Sequence, residues 1–274
     1  MASEPTENRG TSAAAAFFDL DKTLVEGSSA IHFARASYHA GLMSRRQLAH
    51  DLWANVKFRL EGASDEATEA LRDRVLEAIA GRRVVDLRRL APEVLAGLLP
   101  RVYPKMLEVA YAHQDAGRPV YIVTAASQEM ADLLADVLAF DGAIGMRSET
   151  RDGCYTGRPD GPFTYREGKA QAIREVAQRE ELDLDCSFAY SDSHSDLPML
   201  RCVGHPVAVN PDAELLRVAR AEGWEVMHFD RLRRRLRIGA AIGALGTAAG
   251  AVGYVTARLR PRGRVDRARR LALR

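Results

Sequence analysis

Apolar residues follow two rhythms along this chain, and the places where one gives way to the other lay out its elements. Residues 13–18, AAAAFF, form an unbroken apolar run that stops at Asp19. A run this short with a polar boundary predicts a buried central strand of a parallel sheet, with its carboxyl end at Asp19. Residues 120–123 (VYIV), 187–190 (SFAY) and 206–209 (PVAV) predict further buried strands, and 224–229 a last strand at a sheet edge. Elsewhere the apolar spacing becomes three and four. Helices are expected within 31–41, 44–60, 64–80 and 84–98, punctuated by Gly41, Gly62 and Gly81. More are expected at 103–116, closed by Gly117 and Pro119, then at 128–140, 166–180 and 213–223. Residues 141–163 read as turn-rich, with a hairpin around Asp152 and Gly153. From residue 100 onward strands alternate with helices, the pattern of an α/β fold with a doubly wound parallel sheet. Residues 28–99 carry no strand signal and read as a helical subdomain inserted between the first two strands.

Ligands of open α/β sheets bind beyond the carboxyl ends of the strands, and these ends carry reactive side chains. Asp19 and Asp21 close the first strand, Thr124 follows the second, and Asp192 and Asp196 follow the third. Lys169 stands in the first turn of a helix, where a lysine opposes the helix dipole. Taken singly, each has an ordinary structural reading: a helix cap and a surface acid for the aspartates, capping for Thr124 and Ser127, a solvated ammonium for Lys169. Together they suit phosphoryl transfer. Several carboxylates favour Mg2+ over Zn2+, a carboxylate can act as nucleophile, and two negative reactants need cations between them. The seven histidines form no H-x-x-x-H or H-E-x-x-H pair; only His194 lies within an acidic loop. No Gly-rich nucleotide fingerprint appears.

In order, D-x-D-K-T-L at 19–24, the hydroxyl of Thr124 after I-V, Lys169, and S-D-S-H-S-D at 191–196 resemble the four motifs of the haloacid dehalogenase-like superfamily. The helical insertion resembles the cap of its phosphoserine-phosphatase-like branch. The resemblance covers about residues 15–228. It implies a Rossmann-like core at 15–27 and 100–230, a helical cap at 28–99, and an Mg2+-dependent phosphomonoester hydrolase acting through an aspartyl-phosphate. It implies Asp19 as nucleophile and Asp21 as general acid and then base. Asp19, Asp21 through its backbone carbonyl, and Asp192 would hold Mg2+. Thr124 and Lys169 would bind the phosphate, with Asp196 in support. Two positions depart from that branch. Thr124-Ala125-Ala126-Ser127 replaces the usual Ser-Gly-Gly, and Ser28 stands where a Glu usually meets the substrate amine, with Glu26 out of register. Phosphatase chemistry survives both changes, but phosphoserine specificity does not follow from it.

Charge adds a second theme. Residues 231–274 hold 13 arginines against one acid, Asp266, so this tail carries +12, the rest of the chain −10, and the whole +2. Within the tail, residues 238–257 are twenty uncharged residues, about 30 Å as a helix and long enough to cross a bilayer. Glycines at 239, 243, 246, 250 and 253 and arginines on both flanks leave an interfacial or self-associating helix as the alternative to a C-terminal membrane anchor. No aromatics interleave the arginines, so nucleic acid is not an expected partner. Residues 1–14 are polar at the start without a signal-peptide pattern and are expected to be disordered. Cys154, Cys186 and Cys202 show no metal spacing and suit a reducing compartment. The expectation is a cytoplasmic enzyme for a small phosphorylated substrate, with the tail as its contact to the inner face of the plasma membrane. Its rivals are a phosphoserine phosphatase proper, a lipid-head-group phosphatase, and a membrane-tethered scaffold with a relict site.

Overall fold

Phe17 and Phe18 are adjacent in sequence, point to opposite sides of a strand, and are both fully buried, so the first strand must be covered on both faces. This computed structural model describes residues 13–46 and 65–229. The first strand, β1 (Ala16–Asp19), lies inside a six-stranded parallel sheet. Its partners are β2 (Val120–Ser127), β3 (Gly142–Met146), β6 (Phe188–Ser191), β7 (His205–Val209) and β8 (Glu225–Met227), in the order β3-β2-β1-β6-β7-β8. A separate antiparallel hairpin joins β4 (Ser148–Arg151) to β5 (Cys154–Pro159) through Asp152 and Gly153, as the turn signal predicted.

On one face of the sheet Phe17, Val123 and Ala208 pack against Ile173 of α7 (Glu167–Arg179), Met199 of α8 (Leu197–Arg201) and Leu215 of α9 (Ala213–Glu222). On the other, Phe18 stacks on Tyr190 with ring centroids 4.3 Å apart. It also meets His113 of α5 (Pro104–Asp115) edge-on. Helix α6 (Gln128–Val137) carries the chain from β2 to β3. The expected doubly wound fold is therefore present.

Among the described residues, four helices lie between β1 and residue 99: α1 (Ser29–His39), α2 (Asp65–Ile79), α3 (Val84–Arg88) and α4 (Ala91–Leu98). The chain leaves and re-enters the core side by side. Glu26 N donates to Arg101 O (2.8 Å), Tyr103 N donates to Leu24 O (2.8 Å), and Val25 bridges Val102. Residues 81–84 run along β5, with Gly81 N on Tyr155 O and Val84 N on Gly153 O. Gly157 allows this approach: at φ +83°, a Cβ there would lie 2.9 Å from Ala80 Cβ.

The structure corrects several details. The helix expected at 84–98 is two helices broken at Arg89 and Leu90, because Pro92 in the first turn of α4 can neither donate a hydrogen bond nor continue the preceding helix. Gly142–Met146, expected as loop, is the edge strand β3. Its pattern is too glycine-rich to read as a strand. The Gln128 side chain secures it, donating to Ala143 O (2.9 Å) and accepting from Gly145 N (2.8 Å). Ser127 occupies the N-cap of α6, but its side chain makes no capping bond. Ala13, placed by the sequence in the N-terminal tip, bridges Leu182. All three cysteines are free. No helix among the described residues is long and apolar enough to cross a membrane. The expected apolar helix at 238–257 and most of the helix expected at 44–60 lie outside the described residues.

Candidate active site

Parallel register brings the motif residues to one edge of the sheet. Asp19 pairs with Val123, so Thr124 stands one residue beyond it. Phe18 pairs with Tyr190, so Ser191 is level with Asp19 and Asp192 is one residue further. Strand order reverses around β1, which makes this edge the switch-point crevice where α/β sheets bind ligands.

After Asp19 the chain makes a tight turn in which Leu24 N and Val25 N both reach Leu20 O (3.1 and 3.0 Å), and Lys22 N donates to Val25 O (2.7 Å). Asp21 projects to the start of α1. Its carboxylate accepts from Ser28 Oγ (2.9 Å) and Ser29 N (2.8 Å), a favourable seat for an anion at a helix N-terminus.

Lys169 lies one residue into the helix from Gly168, where an added Cβ would stand 1.7 Å from Phe163 O. Only glycine lets the preceding loop press so closely on α7. Lys169 is 3% exposed, and its Nζ donates to Asp19 Oδ1 (2.5 Å) and Asp196 Oδ2 (2.8 Å). Ser191 Oγ donates to the same Asp196 oxygen at 2.7 Å. Asp192 is buried beside them and meets Lys22 Nζ at 3.4 Å. Thr124 is buried, its Oγ1 accepting from Ala126 N at 3.2 Å. The structure thus joins Asp19, Lys169 and Asp196 by direct bonds. Thr124 and Asp192 stand at the same edge, and Asp21 is held apart by α1.

Three buried carboxylates, Asp19, Asp192 and Asp196, face one buried ammonium. Burial pushes the Asp19 carboxyl well above its ordinary range; the Lys169 ammonium opposes this, while Asp196 and Asp192 add to it. Burial also raises Asp192 to about 6, against the pull of Lys22. Burial disfavours the charge on Lys169 too, but Asp19 and Asp196 outweigh it and hold the lysine protonated above its ordinary range. The cluster is an oxygen donor set short of positive charge, which fits a hard divalent cation. Among the described residues no three His, Cys, Asp or Glu side chains form a ready-made cage.

The motif reading missed the structural role of several residues around the site. Ser28 and Ser29 orient Asp21, and Ser191 orients Asp196; each is a common residue whose role depends on the fold. Asp212 caps α9 through Leu215 N (2.8 Å) and accepts from His194 N (2.9 Å), while its own N–H donates to Asp192 O (2.9 Å). His194 turns its ring toward Asp212 and Glu214.

A family model described as haloacid dehalogenase-like hydrolase matches residues 16–201. Phosphoserine phosphatase SerB1 of Mycobacterium tuberculosis is 40% identical over 252 residues, which cover 91% of this chain and 82% of that protein. Histidinol-phosphatase of Neisseria meningitidis serogroup C is 31% identical, with 78% of this chain and 98% of the relative covered. Among solved structures, a protein of unknown function from Bordetella pertussis Tohama I matches with a TM-score of 0.70 at 28% identity, over 80% of this chain and 99% of that one.

Proposed function

The chain belongs to the haloacid dehalogenase-like hydrolase family, and from that premise we propose that it is an Mg2+-dependent phosphomonoesterase with Asp19 as its nucleophile. The observation that carries this reading is the Lys169 ammonium bonded to both Asp19 and Asp196 at the carboxyl edge of β1. Asp19 attacks phosphorus, the bond from phosphorus to the leaving oxygen breaks, and Asp21 supplies the proton that the leaving alcohol takes up. Water then attacks the aspartyl-phosphate while Asp21 takes its proton, releasing phosphate, freeing Asp19 as a carboxylate and returning Asp21 to its protonated form. Lys169 and the Thr124 hydroxyl donate to phosphate oxygens, and Asp196, fixed by Ser191, orients Lys169. Asp19, Asp192 and the backbone carbonyl of Asp21 would hold Mg2+. When bound it neutralises charge on the phosphoryl oxygens. Two carboxylates with a carbonyl suit Mg2+, which keeps several waters.

Helices α1 to α4 serve as the cap over this edge and select the leaving group. Phosphoserine is one candidate substrate, from the names of relatives. Against it, Ser28 offers an amine no acid and is already bonded to Asp21. A lipid head-group phosphate is another candidate, from the basic, apolar tail. The test is phosphate release from p-nitrophenyl phosphate, phosphoserine and lysophosphatidate, with and without Mg2+, for the wild type and Asp19→Asn. Turnover should require Mg2+ and fall at least about a thousandfold in the variant. Full activity in Asp19→Asn would sink the reading.

A further inference from the structure

Lys22 combines two features that its place in the motif does not require. Its backbone lies at φ +62°, a region that favours glycine. Its side chain is about half exposed, yet its Nζ reaches the buried Asp192 at 3.4 Å. Asp19 and Asp196 share Lys169, whereas Asp192 is bonded to Lys22. A residue kept in a strained conformation at a site is a pointer to function.

Resting on the Mg2+ site proposed above, we propose that Lys22 is a tethered cation that competes with Mg2+ for Asp192 and so sets the Mg2+ concentration at which the enzyme loads. An ammonium and a divalent cation on one carboxylate repel each other. Half-exposed and anchored only through the turn, Lys22 is free to swing outward when the metal takes Asp192. While the metal is away, it offsets part of the charge on a carboxylate that burial penalises. Lys22 is therefore a positioning residue that acts through Asp192.

The test is calorimetric titration of the full chain with magnesium chloride in the absence of substrate, for the wild type, Lys22→Gln, Lys22→Gly and Lys22→Arg. The Gln and Gly variants should bind Mg2+ about tenfold more tightly, and Arg should bind like the wild type. Gly relieves the backbone as well as removing the charge, whereas Gln removes the charge alone. Tightening in Gly but not in Gln would assign the effect to the backbone and overturn the proposal, as would unchanged or weaker binding in Gln. If the wild type shows no saturable Mg2+ binding, or if binding survives Asp192→Asn unchanged, the metal site itself fails and the role of Lys22 fails with it.

Discussion

Lys169 is the residue that joins two acids of the site, Asp19 and Asp196. Removing its charge leaves Asp19 and Asp196 buried together with no cation between them. Breaking a buried pair at one partner typically costs about 3–5 kcal/mol, because the remaining charge keeps its desolvation penalty. Lys169→Met should therefore lower stability by that order as well as abolish turnover, and urea unfolding at neutral pH measures it. A loss below about 1 kcal/mol would mean that the ammonium is solvated rather than locked between the two acids. At this scale the sequence was informative about side chains with distinctive chemistry. It singled out Asp19, Asp21, Thr124, Lys169, Asp192 and Asp196 because together, and in this order, they match a set of family motifs, although each taken singly has an ordinary structural reading. It did not give the partners of Ser28, Ser191 and Lys22, which lie 7, 5 and 170 residues away. Serine is frequent everywhere, and a lysine beside a motif looks like ordinary surface.

At the scale of elements, α5 is tied to the sheet through one buried histidine. Arg118 Nε donates to His113 Nδ1 at 2.8 Å, and a guanidinium has no acceptor, so the proton of the neutral ring must sit on Nε2 and be donated to Tyr190 Oη at 2.7 Å. Burial first, and then the Arg118 charge, push the ring down to about 4. The folded state thus binds its proton later than the unfolded chain, whose histidine titrates near about 6.5. Between these values the unfolded state holds more protons, so stability falls as pH falls from about 6.5 toward 4, by an amount of order 3 kcal/mol. Thermal melts across that window should show the loss, and it should shrink in His113→Gln. An equal acid sensitivity in the variant would place the cause elsewhere. Long periodic helices such as α7 were legible from spacing alone. The break between α3 and α4, and the strand β3, were not. Pro92 ended a pattern whose apolar spacing continued through it, and β3 is a strand because Gln128 and β2 bond it, not because GAIGM favours one.

For the whole molecule, the acidic body and the arginine-rich tail ask separate questions. The described site residues all lie within the compact unit that ends at Met227. A chain ending at residue 229 should therefore keep its hydrolysis of p-nitrophenyl phosphate. If the tail is the membrane contact, that chain should also move from the membrane fraction to the supernatant when cells expressing each form are fractionated. Activity lost on truncation would show that the tail completes the site, and an unchanged distribution would remove the membrane role.

The sequence by itself determined the family, named the candidate side chains, and laid out the strands and helices apart from β3 and the break between α3 and α4. These follow from local hydrophobic period and from chemistry that few residue types can perform. Only the tertiary structure decided which of those side chains touch. Parallel register set Asp19 level with Ser191 and one residue short of Thr124. The close packing at Gly168 brought Lys169 to two acids that lie 150 and 27 residues from it along the chain. Contacts across such separations depend on register and packing of the whole sheet, and no local stretch of sequence encodes them.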